Sequence, residues 1–209
     1  MRRDWTLMKD NPKRDLILQA GSECFARFGY DKTTLDDIGK RAGLNKASLY
    51  YYFKNKEEIF IAVVLSETEA FIADLRKKAL SYPAPAEQVR FFLTERIRRY
   101  SEVIHLTRLS VEHLQKLEPL FDEVYQETKA SEVSFLTELL VAGRDSGAFH
   151  LPDQPEMVAE RLFELSDALK HDCVRAAGRF PGAEMDFSSA IAGMDFWVNL
   201  ILLPASAKG

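Results

Sequence analysis

Thr33-Thr34-Leu35-Asp36-Asp37-Ile38-Gly39-Lys40-Arg41-Ala42-Gly43-Leu44-Asn45-Lys46-Ala47-Ser48-Leu49-Tyr50-Tyr51-Tyr52-Phe53 is the stretch that decides the fold. Thr34 has the hydroxyl of a helix N-cap, able to accept from an amide two or three residues on, and Asp36 and Asp37 then place negative charge at the positive end of the helix dipole. Leu35, Ile38, Gly39 and Ala42 follow at i, i+3, i+4 and i+7, so they share one face, and its small side chains let a second helix pass close. Gly43 comes next, where a left-handed backbone ends a helix without a Cβ penalty. Asn45 is suited to cap the following segment. The stretch predicts two short helices around a glycine turn.

On the second helix, steps of about 100° per residue bring Leu49 and Phe53 together toward the core. Tyr51 points the opposite way with Ala47 and Ser48 beside it, Tyr50 and Tyr52 flank the buried stripe, and Lys46 sits in the first turn. A helix laid in a DNA major groove needs this arrangement: small and polar side chains near its start for base edges, phenols and amines at its sides for phosphates. A three-helix subdomain of another kind can contain the same turn with tyrosines packed on it. Three consecutive tyrosines favour the helix-turn-helix that reads DNA.

From about Asp15 to Val64 the chain resembles the N-terminal domain of the TetR (tetracycline-repressor-like) family of bacterial transcriptional regulators. The resemblance rests on Ala20, Phe25, Phe28-Gly29-Tyr30, Thr33-Thr34-Leu35, Ile38, Ala42-Gly43-Leu44, Leu49-Tyr50-Tyr51-Tyr52-Phe53, Lys54-Asn55-Lys56-Glu57 and Ile59-Phe60. Many members have His at the position of Tyr52 and Ala at that of Gly39. The rest of the chain is matched only in length and helical character. The resemblance implies an all-α fold: an N-terminal three-helix DNA-binding domain with the helix-turn-helix over residues 1–55, with 1–11 read as a flexible arm, and a larger helical ligand-binding and dimerisation domain over 56–209. It also implies that Thr33, Thr34 and the start of the second helix touch phosphates. Lys46, Ala47, Ser48, Tyr50 and Tyr51 would lie along the groove, Tyr52 on the backbone, and Lys56, opening the fourth helix, on a phosphate.

Composition fits this reading. The 209 residues are 46% hydrophobic and 29% charged, enough for a small domain and a larger one. The net charge of −4 looks wrong for a DNA binder, but its distribution matters more than its sum. Residues 1–60 hold 12 Lys and Arg against 9 Asp and Glu, a balance of +3, whereas the remainder holds 16 against 23, a balance of −7. A mildly basic head beside an acidic regulatory part predicts moderate, salt-sensitive affinity for DNA. The two cysteines, Cys24 on the apolar stripe Ile17, Ala20, Gly21, Cys24, Phe25, Phe28 and Cys173 far along the chain, do not read as a disulfide framework. With no signal-peptide pattern behind Arg2 and Arg3 and no long apolar run, the expected location is the cytoplasm, with no membrane partner. Arg2 and Arg3 fit either a minor-groove arm or an unstructured leader.

Beyond the head the chain reads as helices with short breaks and no strand-like alternation. A linking helix is expected from about Lys56 to Leu80, ended by Pro83 and Pro85. Others are expected over about Ala86–Ile104, His105–Leu117, Pro119–Asp145, from Pro152 and Pro155 to Ala177, and, past Gly178, Pro181 and Gly182, over Ala183–Leu203. The last two carry apolar residues at helical spacing, the final one around more of its surface than one neighbour can cover, which points to a homodimer through Leu162, Leu165, Leu169, Met194, Trp197, Leu200 and Ile201. A fully internal core helix would show the same pattern.

The central helices offer Phe92, Tyr100, His105, Arg108 and His113, then Tyr125, Phe135, Phe163 and His171, as the lining of an effector pocket with a few polar anchors; aromatics at this spacing also build ordinary cores. The four histidines lack metal-ligand spacing, so no metal and no cofactor is expected. His171-Asp172-Cys173 is contiguous on a helix, its side chains diverge, and no catalytic group assembles. The function expected is a non-enzymatic, ligand-responsive regulator, a repressor, that binds a palindromic double-stranded DNA operator as a homodimer and is released by a small, apolar effector. The alternatives are a DNA-binding factor of the same fold controlled by a protein partner, and, further off, an all-helical enzyme.

Overall fold

The computed structural model describes residues 11–179 and 184–202. Arg2, Arg3, Pro181, Gly182, Ala183 and Leu203, which entered the expectations above, lie outside them. Eight helices follow one another among the described residues: α1 (Pro12–Phe28), α2 (Leu35–Ala42), α3 (Lys46–Tyr52), α4 (Lys56–Leu80), α5 (Pro85–Thr107), α6 (Val111–Asp145), α7 (Pro155–Ala177) and α8 (Ser188–Ile201). The fold is all-α, as the sequence predicts. None of these helices is long and apolar enough to cross a membrane.

The chain forms two compact units. One gathers the residues up to 68 with 103–121; the other gathers 69–102 with the residues from 122 on. In the first, Asn11 caps α1 by accepting from the Lys13 and Arg14 amides, and Gly29, at φ 82°, ends it. Its core is aromatic: Phe25 and Tyr30 stack at 5.8 Å, and Phe60 meets both edge-on at 5.1 and 4.8 Å. Ile17, Ile38, Leu49 and Ile59 close around these rings, each at most 1% exposed. In the second unit Phe92, Leu93, Ile97, Leu136, Leu140, Phe163 and Met194 are all sealed. Both cysteines are free and buried, as expected of Cys24 from its stripe.

Two breaks differ from expectation. The helix expected over His105–Leu117 does not exist; α5 runs on to Thr107 and α6 starts at Val111. Arg108 adopts the left-handed conformation, φ 49°, and its neighbour Leu109 donates to the Ile104 carbonyl at 3.1 Å, so the helix end is made without glycine. Ser110 then opens α6, accepting from the His113 amide. The break expected at Pro119 is also absent: the proline sits inside α6. Proline removes one hydrogen bond and clashes with the turn before it, at a cost of about 3 kcal/mol. Buried Leu114 and Leu117 on one side, and Phe121 against Phe60 at 6.2 Å on the other, hold both sides in place.

Candidate functional site

Reciprocal capping shapes the helix-turn-helix. The Thr34 hydroxyl accepts from the Asp37 amide at 3.2 Å, while Asp37 Oδ2 accepts from the Thr34 amide at 3.0 Å. The Thr34 hydroxyl and amide together hold the Asp37 carboxyl below its ordinary range. Gly43 ends α2 at φ 67°, and Asn45 Oδ1 accepts from the Ser48 amide at 2.9 Å to start α3. Gly39 lets the two helices close: a Cβ there would stand 3.0 Å from both the Leu44 carbonyl and Leu49 Cδ1. Leu49 and Phe53 are each 1% exposed, so the core-facing side of α3 is the one the sequence predicts.

The opposite side is open. Tyr51 is 70% and Tyr50 47% exposed, and Lys46 and Ala47 are exposed beside them. Ser48 and Tyr52 are half-buried; the Tyr52 ring meets Tyr51 edge-on at 5.0 Å. Lys46 Nζ lies 3.4 Å from Asp36 on the first turn of α2.

Two residues expected on phosphates are placed otherwise. Thr33 is 1% exposed and its hydroxyl bonds the Gly29 carbonyl at 2.7 Å and the Cys24 carbonyl at 3.2 Å, so it fastens the end of α1. Lys56 turns inward: its ammonium donates to the Tyr30 carbonyl at 2.8 Å and lies 4.3 Å from the Tyr30 ring centroid. Burial pulls its pKa down, against the opposing pull of Asp31 and Glu57. Both residues brace the head; neither presents its polar group outward.

The nine residues expected around an effector do not form one set. Phe92 and Phe135 pack edge-on at 5.1 Å, and Phe163 and Tyr125 join them in the second unit. Tyr100 packs on Phe187 at 5.4 Å, also in that unit. His171 is exposed on α7. His105 and Arg108 are exposed at the end of α5, in the first unit. His113 belongs there too, with Asp31 at 2.9 Å and the Tyr30 ring at 5.2 Å. These four are corrections: three belong to the first unit, and His171 faces solvent. A small cleft in the first unit, walled by Phe25, Phe60, Val63 and Leu106, includes none of the nine.

Phe163 and Tyr125 adjoin a buried polar cluster that the sequence reading missed. Arg96 donates through Nε to Glu132, with the Ser166 hydroxyl at 3.3 Å and the Tyr125 hydroxyl at 3.4 Å. Its guanidinium lies 3.8 Å from the Phe163 ring centroid. Burial opposes the Arg96 charge, but Glu132, Tyr125 and Asp167 outweigh it and hold the group protonated. Lys170, 2.7 Å from Asp167, is pulled down by burial more than that carboxylate lifts it. The sequence signal was a charge inside an apolar stripe: Arg96 follows Val89, Phe92 and Leu93, and Glu132 precedes Phe135, Leu136 and Leu139, all at helical spacing. No cluster of metal-ligating side chains occurs among the described residues.

Of the expected dimer residues, Leu162 and Met194 are sealed inside the protomer, Met194 on the inner edge Ala190, Met194, Val198 of α8. They are corrections as well, since an i, i+4, i+8 row faces the core. Trp197 and Leu200 are 38% and 49% exposed, and Phe196 beside them is 60% exposed. Leu165, Leu169 and Ile201 are half-buried beside this strip.

Residues 17–63 match the family described as bacterial regulatory proteins, tetR family. The chain is 28% identical over 163 residues to YhgD of Bacillus subtilis, an uncharacterised regulator of helix-turn-helix type, covering 77% of this chain and 83% of that one. Over 47 residues, 22% of this chain and 25% of the relative, it is 51% identical to IcaR of Staphylococcus epidermidis, the negative transcriptional regulator of a biofilm operon. In fold it is similar to a transcriptional regulator from Cytophaga hutchinsonii, with TM-score 0.75, 24% identity, and 91% and 97% of the two chains covered. With a capped helix-turn-helix inside the matched segment and all-helical described residues after it, residues 17–63 form a head of the kind described for the tetR family of bacterial transcriptional regulators.

Proposed function

We propose that this regulator is a cytoplasmic repressor that binds a palindromic operator as a homodimer and releases it on binding a small, apolar effector. The observation that carries the reading is the outward face of α3, where Lys46, Ala47, Tyr50 and Tyr51 are open to solvent while Leu49 and Phe53 anchor the helix from behind. In this reading Ala47 and Ser48 approach base edges, Ala47 meeting a thymine methyl or making room. Thr34 and Tyr52 take phosphates, and Tyr50, Tyr51 and Lys46 lie along the groove. The exposed Phe196, Trp197 and Leu200 of α8 support pairing with a second copy.

Two heads must reach successive major grooves, about 34–36 Å apart, so a small change in spacing abolishes simultaneous binding. An effector held in the second unit, among Phe92, Tyr125, Phe135 and Phe163, would favour a state in which α4 swings and the spacing no longer fits. Each tenfold release requires about 1.4 kcal/mol of preference for that state. Selection from a random duplex pool tests the reading. An inverted repeat should be enriched, and Tyr51→Ala and Lys46→Ala should each weaken binding to it without changing the melting temperature or the dimer. Unchanged binding by both variants would overturn the assignment of this face.

A further inference from the structure

The DNA-facing surface proposed above carries one feature at odds with binding a polyanion. An exposed carboxylate, Asp36, stands on the first turn of α2, 3.4 Å from the Lys46 ammonium. The neighbouring Asp37 is accounted for, since it closes the capping box with Thr34. Asp36 faces Lys46 instead. Both side chains are more than half exposed, and an ion pair so placed adds little to stability. A carboxylate here also repels the phosphates that the surface is to approach. Its charge suits the positive end of the α2 dipole, as that of Asp37 does, but the dipole does not account for the pairing with Lys46.

Specificity does. A lysine is a compact charge on a flexible four-carbon stem, and beside DNA it settles on the nearest phosphate, which carries no sequence information. We infer that Asp36 is a positioning residue that holds the Lys46 ammonium off the phosphates and aims it at a guanine in the major groove. The ammonium has three N–H donors. With one turned to Asp36, two remain for the N7 and O6 acceptors that guanine presents side by side. Asp36 thus converts Lys46 from a general anchor into a base reader, and the recognition surface includes the start of α2 as well as α3. This rests on the reading of α3 as the groove-binding helix.

The test is duplex selection and salt-dependent binding with the full-length protein, comparing the unaltered chain with Asp36→Asn, Lys46→Ala and the double variant. Asp36→Asn should relax preference at one guanine per half-site about tenfold. It should tighten binding to unrelated duplex and steepen the salt dependence by about 0.9 in log–log slope, as one phosphate contact is gained. In the Lys46→Ala background Asp36→Asn should leave the base preference and the salt slope unchanged, the lost repulsion tightening all duplexes alike. A merely structural Asp36 would move the melting temperature and leave base preference alone. Retained guanine preference in Asp36→Asn overturns the inference, as does an equal effect with and without Lys46, which would make Asp36 itself the base reader. If the unaltered chain enriches no sequence, the reading of α3 falls and this inference with it.

Discussion

The ring of Phe149 lies on Gly143: a Cβ added to that glycine would stand 2.0 Å from Phe149 Cζ. The ring is 1% exposed and Gly143 belongs to the last turns of α6, so the absent side chain is what admits it. Gly143→Ala gains about 1 kcal/mol in helix propensity. It also drives a methyl into a closed ring, and overpacking of this kind costs about 1–3 kcal/mol or more. The clash is deep enough to win, and thermal unfolding should show a clearly lowered melting temperature.

Adjacent threonines should respond differently. Thr33→Val removes a buried hydroxyl that serves the Gly29 and Cys24 carbonyls, and should lower stability by about 1 kcal/mol while leaving duplex affinity of the folded protein unchanged. Thr34→Ala removes the cap of α2, also about 1 kcal/mol, and should weaken duplex binding as well. Paired melting and binding measurements separate the two; a loss of affinity in Thr33→Val would return that residue to the interface.

Acid should loosen the head through Asp37, whose carboxyl is held low by the Thr34 hydroxyl and amide. A carboxylate depressed by folding stabilises fully above its unfolded value, about 3.9 for Asp, and the contribution is lost as pH falls through the lower folded value. Asp37→Asn should flatten this part of the stability profile. Unfolding followed by circular dichroism from neutral pH down to the acid range would read the difference.

Glu132→Ala should be among the most damaging substitutions in the second unit, because it leaves Arg96 charged and buried without its partner. Breaking such a pair costs about 3–5 kcal/mol. Replacing both, Arg96→Met with Glu132→Leu, should recover most of the loss, since the desolvation penalty disappears with the charges. Urea unfolding of the single and double variants measures this directly.

Leu200→Glu should leave the protomer folded, because the side chain is half in water already, and shift the monomer–dimer equilibrium at least tenfold, about 1.4 kcal/mol. Sedimentation equilibrium should show the lighter species. An unchanged mass would remove this face of α8 from the proposed pairing.

What was legible in the sequence was local. Thr34, Gly43 and Asn45 are cap residues whose role depends on three or four neighbours, and α2 and α3 start and stop where they stand. Leu49, Phe53 and Tyr51 follow from periodicity alone. What stayed hidden depends on distant partners. Thr33 and Thr34 are chemically identical, and only the fold around Gly29 makes one a buried fastener and the other a cap. Arg108 ends α5 in a conformation usually left to glycine, so a search for glycine passes it by. Arg96 and Glu132 meet across 36 residues, and nothing in either segment alone announces the pair. Pro119 carried the wrong punctuation because packing on both sides outweighs its preference.

The joint at Tyr30 bears on how such regulators can be recombined. Its amide donates to the Thr107 carbonyl at 2.7 Å, its ring packs on His113, and nearby Glu57 pairs with Lys116 at 3.1 Å. A chimaera grafting residues 1–55 onto a foreign regulatory half would strip that amide and ring of their cover unless the insert spanning 103–121 travelled with them. The reading head is therefore not an interchangeable cartridge: its sequence is split, and engineering must transplant both pieces or redesign the seam.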